Sequence, residues 1–131
     1  MFKTVQIPYE SVMLFNIVKL KSGVDIDDVE MAMGEMCNIV KNNYSDENGG
    51  FIAGQVFKYS GFISDEGSIG NNDKESEHCV IITYWKSFEH HERSHKDHEF
   101  RKKFDTLADF CDETKELGYE LLWQGNSELK I

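Results

Sequence analysis

Apolar residues divide the chain into segments typical of strands and segments typical of helices. Three segments rich in β-branched and aromatic residues predict strands over 12–21, 51–59 and 79–85. The first is apolar on both faces, which predicts a central strand that is covered on both sides. A short fourth strand is predicted over 119–124, after a helix that Gly118 is expected to end.

Two further segments place apolar residues at helical spacing. The first predicted helix covers 25–43, with Asp25 as its N-cap. Its apolar stripe comprises Val29, Met33, Met36, Cys37 and Val40. The second predicted helix covers 87–114 and has Ser87 as its candidate cap. The polar segment 61–77 predicts a long loop between the second and third strands.

The predicted order β-α-β-β-α-β is the ferredoxin-like arrangement, an α+β fold whose four-stranded antiparallel sheet carries its helices on one face. We expect one domain over residues 1–131, with its core at about 11–125. The uncovered face of such a sheet would also be apolar. This predicts a homodimer that packs sheet against sheet into an α+β barrel, and a higher oligomer is left open.

Composition excludes several classes of partner. With 14 basic and 24 acidic residues the net charge is −10, and the basic residues are scattered, which argues against nucleic acid and anionic membranes. No apolar run is long enough to span a bilayer, and the first residues lack the apolar core of an export signal, so a cytoplasmic location is expected. Three widely spaced cysteines do not form a disulfide framework.

The motif His91-Glu92-x-x-His95 carries the clearest chemistry. Residues four apart lie on one face of a helix, so both imidazoles could bind a single metal ion. Phe100 and Phe104 belong to an apolar stripe that is expected to face the core. If one unbroken helix continued back to residue 91, that stripe would place both histidines on the opposite, solvent-facing side. We therefore predict a helix break near 94–97, which would let both faces point inward.

Glu120 is the predicted third ligand, because an acidic residue at a strand end is a natural source of a carboxylate. Two imidazoles and one carboxylate form the facial triad used by non-haem Fe(II), and this makes Fe(II) the preferred metal and Zn(II) the alternative. Two other interpretations stay open. The histidines could form a solvated polar face, or the site could be a zinc hydrolase with Glu92 as general base.

The segment from Trp85-Lys86 through Phe88 to the histidine motif resembles the dimeric α+β barrel superfamily, which includes the antibiotic-biosynthesis monooxygenases. Its strongest resemblance is to sulfur oxygenase reductase, a mononuclear non-haem iron enzyme. That resemblance implies metal ligation by His91, His95 and Glu120, the last within Gly118-Tyr119-Glu120. It also implies that Cys37, on the first helix, is the catalytic cysteine that carries sulfur.

The implied function is a non-haem iron oxygenase that acts on a small sulfur or thiol compound. The alternative is a metal-free barrel that binds a small apolar ligand, or a cofactor-free monooxygenase. The chain departs from the sulfur enzyme, which fuses two such units and has two further cysteines that do not align with Cys111. The residues expected to contact the substrate are Asn16, Met33, Phe51, Phe57, Tyr84 and Trp85.

Overall fold

A computed structural model describes residues 3–70 and 75–127, so residues 71–74 of the predicted loop lie outside the described residues. The elements are β1 (Val12–Leu20), α1 (Ile26–Tyr44), β2 (Phe51–Lys58), β3 (His78–Trp85), α2 (Phe88–Ser94), α3 (His98–Ala108) and β4 (Cys111–Glu120). All neighbouring strands run antiparallel in the order β2-β3-β1-β4. The predicted ferredoxin-like α+β fold is confirmed.

The core lies between the sheet and helices α1 and α3. Strand side chains alternate between the two faces of a sheet, and the buried members point toward the helices. The buried apolar residues that form this core are Leu14, Val18, Leu20, Val29, Met33, Met36, Val40, Cys79, Ile81, Trp85 and Leu107. Four of these come from α1, which confirms most of its predicted stripe, and Asp25 caps that helix as predicted, in a reciprocal capping box with Asp28.

The predicted break in the second helix is confirmed. α2 ends at Ser94, and α3 begins at His98 after Asp97, whose side chain accepts a hydrogen bond from the backbone N–H of Phe100. The backbone N–H groups of His95, Lys96 and Asp97 each bond to the carbonyl three residues earlier. The helix thus tightens into a turn before it changes direction.

The last strand starts earlier than the sequence predicts, so the boundaries 87–114 and 119–124 are wrong. α3 ends at Ala108, and β4 covers Cys111–Glu120. β4 lies at the edge of the sheet, beside β1, and most of its residues are exposed. Its run of charged residues therefore lacks the apolar alternation of a half-buried strand, and its strand conformation comes from pairing with β1.

The sheet face opposite the helices carries half-buried and exposed apolar side chains. Phe15 packs edge to face with Tyr119, which is 46% exposed, and Phe57 is 50% exposed. Dimerisation through this face stays a prediction. None of the helices within the described ranges is long and apolar enough to cross a membrane, and a cytoplasmic location also stays a prediction.

Candidate metal centre

Helix α2 brings two histidines to the helix-facing side of the sheet. It begins after Ser87, whose hydroxyl accepts the backbone N–H of His90, and its last turn places His91 inward. His91 is only 4% exposed and lies edge-on to Trp85, with 5.4 Å between ring centroids. His95 caps the end of α2 and is half-buried.

A carboxylate from β4 completes the cluster, and it belongs to Glu116. Glu116 Oε2 lies 3.1 Å from His91 Nε2, and Glu116 Oε1 lies 3.5 Å from His95 Nε2. The two Nε2 atoms are 3.1 Å apart. Among the described residues, this is the one group of three or more potential ligands whose donor atoms converge within 4.8 Å.

Glu120, the carboxylate expected from the sequence, is not part of this cluster. It pairs with Val12 at the end of β4, whereas Glu116 pairs with Asn16 in the middle of β1. Both carboxylates fall on the same face by alternation, so the error is a displacement of four residues along one strand. Glu116 could be identified only from the pairing of β4 with β1. That pairing could not be assigned from the sequence, because residues 111–114 were predicted as helix.

Hydrogen bonds account for only part of the contacts among these three side chains. Each neutral imidazole carries one N–H, and a carboxylate only accepts. If His91 and His95 both donate from Nε2 to Glu116, each N–H has an acceptor, but the two Nε2–H groups lie 3.1 Å apart without a bond between them. If one Nε2 is unprotonated, it can accept from the other ring, but its contact with Glu116 then brings two acceptors together. A shared cation would replace these unfavourable contacts with bonds to all three side chains.

The spacing of the donors fits a metal ion. Metal–ligand bonds of about 2.0–2.1 Å place neighbouring ligand atoms roughly 2.8–3.4 Å apart in octahedral or tetrahedral sites. The distance from Glu116 Oε2 to His91 Nε2 and the distance between the two Nε2 atoms, both 3.1 Å, lie in that range. The other carboxylate oxygen, Oε1, is 3.5 Å from His95 Nε2, just above it. Two imidazole nitrogens and a carboxylate suit Fe(II) and Zn(II). The residues present therefore fit the group that the sequence predicts.

The electrostatics of the cluster favour the ionised form of Glu116. Burial opposes ionisation of Glu116, but hydrogen bonds and charge from His91 and His95 outweigh it and lower the pKa of Glu116 to about 2. The hydrogen bond with Glu116 raises the pKa of His95 above its ordinary value, against the opposing effect of burial. Glu116 is therefore ionised at any pH at which the protein is expected to work.

The outer nitrogen of His91 lacks a partner. Its Nδ1 is, within the described part of the chain, the one buried side-chain nitrogen or oxygen without a hydrogen bond. The nearest carboxylate oxygen is Glu92 Oε1, at 3.6 Å. Glu92 also approaches His95 at Nδ1, at 3.7 Å, and its side chain is 68% exposed. It therefore approaches both rings at Nδ1 rather than at the Nε2 atoms of the cluster, although it also lines a cavity beside the cluster, and its role as general base of a zinc hydrolase stays a prediction.

A cavity of about 740 Å³ opens beside the cluster and includes all three of its members in its wall. Of the predicted substrate contacts, Asn16, Phe51 and Trp85 line it, and so does Cys37. The Asn16 side chain donates to the carbonyl of Ile81 at 3.1 Å, which supplies the partner it needs when half-buried.

Three other predicted contacts do not line this cavity. Met33 is 2% exposed within the core on α1. Tyr84 precedes the cavity residue Trp85, so strand alternation turns it to the opposite face, where its hydroxyl donates to Gln55. Phe57 lies on that opposite face as well and pairs with Val80. The assignment of Met33, Phe57 and Tyr84 to the substrate pocket is therefore not supported by their positions.

Comparisons with known proteins identify the fold. No family model matches the chain, and no curated protein matches it. Among solved structures, the cofactor-independent oxygenase SnoaB from Streptomyces nogalater superimposes with a TM-score of 0.62 at 10% identity, over 88% of this chain and 96% of that one. A putative antibiotic biosynthesis monooxygenase from Caulobacter crescentus CB15 gives 0.63 at 9% identity, over 88% and 92%.

A third match is described as a dimeric protein of unknown function with a ferredoxin-like fold, from Bacteroides fragilis NCTC 9343. Its TM-score is 0.55 at 12% identity, over 84% of this chain and 95% of that chain. The chain thus shares its fold with ferredoxin-like proteins of the antibiotic biosynthesis monooxygenase type. These matches do not connect it to sulfur oxygenase reductase.

Proposed function

We propose that the chain is an oxygenase-like enzyme in which His91, His95 and Glu116 hold one divalent cation, preferably Fe(II). The observation that carries this proposal is the convergence of three potential ligand atoms whose mutual contacts hydrogen bonds satisfy only in part. A bound Fe(II) would supply a redox-active Lewis acid, held by three residues that line the cavity. The substrate is a small, mainly apolar molecule, since apolar atoms supply most of the surface of the cavity wall.

The chain's own residues bind and orient this substrate. Trp85 and Phe51 pack edge to face, with centroids 5.3 Å apart, and form an apolar wall that excludes water near His91. Asn16 pairs with Glu116 across the strands and presents a polar amide beside the cluster. A substrate with one polar end and an apolar body would place its polar end there.

A sulfur or thiol substrate is the narrower form of the proposal, and it depends on Cys37. This thiol lies in the cavity wall, and burial raises its pKa to about 11. To carry sulfur, its thiolate would attack the S–S bond of a polysulfide or disulfide, and the outgoing sulfur would leave with the bonding electrons as a thiolate. Few molecules carry the thiolate at neutral pH, so a bound cation or substrate would have to favour that form.

Metal titration tests the proposal. Protein stripped with chelator and reloaded anaerobically with Fe(II) should bind about one ion per chain. The variant His91→Ala/His95→Ala should bind none, and Glu116→Gln should bind at least tenfold more weakly. Glu120→Gln is the matched control, because it removes a carboxylate from the same face of the same strand and should leave affinity unchanged. Loss of binding in Glu120→Gln but not in Glu116→Gln would contradict the assignment.

A cofactor-free monooxygenase is the second candidate, and the fold comparisons favour it over the iron enzyme. SnoaB is described as a cofactor-independent oxygenase, whereas none of the three matched descriptions mentions a metal. In this form the same cavity binds an apolar substrate, and His91 and His95 act as acid–base groups rather than as ligands. Oxygen consumption with an aromatic substrate panel that persists in excess chelator would support this candidate over the first.

We also propose that the chain forms a homodimer through the sheet face opposite the helices. Half-exposed Phe57 and Tyr119 lie on that face, and the Bacteroides fragilis match is described as dimeric. Sedimentation of Phe57→Glu/Tyr119→Glu should show monomers under conditions where the unaltered protein sediments as a dimer.

A further inference from the structure

Asp97 connects three parts of the molecule at the helix break. Its Oδ1 accepts the backbone N–H of Phe100 at 3.0 Å, which caps α3. Its Oδ2 accepts the hydroxyl of Tyr44 at 3.0 Å and the amide of Asn43 at 3.3 Å. Tyr44 is the last residue of α1, so this one carboxylate joins the end of α1 to the start of α3.

The position of the break decides where the histidines point. In one straight helix, the inward stripe that contains Phe100 would place His91 and His95 on the opposite, solvent side, because a helix turns once in about 3.6 residues. Here the chain changes direction between Ser94 and His98, and His91 is 4% exposed. Asp97 lies in that interval and makes the side-chain hydrogen bonds that hold it.

Asp97 also acts on His95 through an aromatic neighbour. The ring of Phe100 stacks on the imidazole of His95, with 5.9 Å between centroids and 8° between planes. The backbone of Phe100 is held by the Asp97 carboxylate. A chain of direct contacts therefore runs from Tyr44 through Asp97 and Phe100 to the ring that carries one of the three donor atoms.

We propose that Asp97 is a positioning residue for the cluster of His91, His95 and Glu116, with Tyr44 as its anchor on α1. The proposal rests on the proposed metal site for its functional meaning. Its physical content is independent of that site: without the Asp97 contacts, the imidazoles lose their common orientation. Asp97 contacts neither substrate nor ion, so it acts only through the residues it holds.

The chain offers a matched control. Asp25 caps α1 as Asp97 caps α3, with a side-chain oxygen that accepts a backbone N–H, and it lies on a different helix from the histidines. Asp25→Ala and Asp97→Ala both remove an N-cap, so both should lower the unfolding temperature. Only Asp97→Ala should weaken binding of Co(II), used here as a spectroscopic probe, by about 10–100-fold.

Two milder variants keep the test valid if Asp97→Ala folds poorly. Asp97→Asn retains a capping oxygen but replaces the oxygen that accepts from Tyr44 with a donor. Tyr44→Phe removes only the hydroxyl. Each should weaken Co(II) binding severalfold with little change in unfolding temperature. Equal loss of Co(II) affinity in Asp25→Ala and Asp97→Ala at matched loss of stability would overturn the proposal.

A second measurement separates this proposal from the metal site itself. If the unaltered protein binds no Co(II), the metal function fails, but the orientation of His91 can still be measured by carbethoxylation with diethyl pyrocarbonate and peptide mass spectrometry. Buried His91 should react at least tenfold faster in Asp97→Ala than in Asp25→Ala. Equal rates would overturn the positioning role whether or not a metal binds.

Discussion

Helices α1 and α2 lie on the same face of the sheet and differ in the side chains that they bury. α1 runs unbroken for 19 residues, begins with a reciprocal capping box, and buries four apolar side chains. α2 has 7 residues and buries His91 and Ser94 in place of apolar residues. One helix is arranged for stability, whereas the other is interrupted and turns polar groups inward.

This difference indicates where the chain departs from stable packing for another purpose. Buried polar groups cost free energy unless they are fully paired, and Nδ1 of His91 is unpaired. Sequences tend to break such local rules at functional sites. The contrast between the two helical regions therefore supports the histidine cluster as the functional part of the fold, independently of any likeness to known enzymes.

The largest difference in unfolding free energy is expected between a substitution of a buried apolar residue in α1 and a substitution of the buried histidine in α2. Met33→Ala should lower the free energy of unfolding by about 2–5 kcal/mol, because Met33 is 2% exposed in the core. His91→Leu should change stability by less than about 2 kcal/mol, because it removes an unsatisfied buried nitrogen, which favours folding, and also the hydrogen bond with Glu116, which opposes that gain. Urea denaturation measures both. A loss above about 2 kcal/mol in His91→Leu would show that its contact with Glu116 supports the fold itself.

The next effect concerns Cys37, which lies on α1 but faces the cavity. Burial raises the pKa of its thiol from 9.0 to about 11, so the folded state favours the neutral thiol. The stability that the neutral Cys37 thiol contributes is therefore intact below pH 9.0 and is lost as the pH rises toward 11. Alkylation of Cys37 by iodoacetamide, followed by mass spectrometry, should be slow at pH 7 and rise about tenfold per pH unit up to that range. A plateau near pH 8 would contradict the raised pKa.

The sequence was a sound guide wherever side-chain periodicity reflects burial. α1, the three strands rich in β-branched residues and the helix break were predictable, because buried stripes and caps leave local patterns. β4 was not, because an edge strand with exposed charges takes its conformation from β1 rather than from its own residues. That boundary error moved the predicted carboxylate from Glu116 to Glu120. Tyr84 is a different kind of error, because alternation alone places it on the face opposite its neighbour Trp85. Phe57 would share the face of Phe51 by alternation, but the register shift between Phe51 and Ala53 reverses it.

Two glycine substitutions sharpen the comparison at a smaller scale. Gly34 lies within α1 with open space around it, so Gly34→Ala should stabilise the protein by about 0.5–1 kcal/mol. At Gly118 on β4, an added Cβ would lie 2.9 Å from a ring carbon of Phe88, the first residue of α2. Gly118→Ala should therefore displace α2, reduce stability by about 1 kcal/mol and weaken metal binding. Thermal unfolding should show a higher unfolding temperature for Gly34→Ala and a lower one for Gly118→Ala, and Co(II) titration should show weaker binding only for Gly118→Ala. Changes of the opposite sign would contradict these predictions.

The smallest effect is expected where α1 and α3 meet at the surface. Lys103 on α3 forms an ion pair with Glu35 on α1, and both side chains are more than one-third exposed. Exposed pairs of this kind contribute about 0–1 kcal/mol, because solvent screens the charges and the side chains lose conformational freedom. Lys103→Ala should therefore change the unfolding free energy by only a few tenths of a kcal/mol, and less still in 1 M salt. A loss above about 1 kcal/mol would mean that the α1–α3 contact depends on this pair as well as on Asp97.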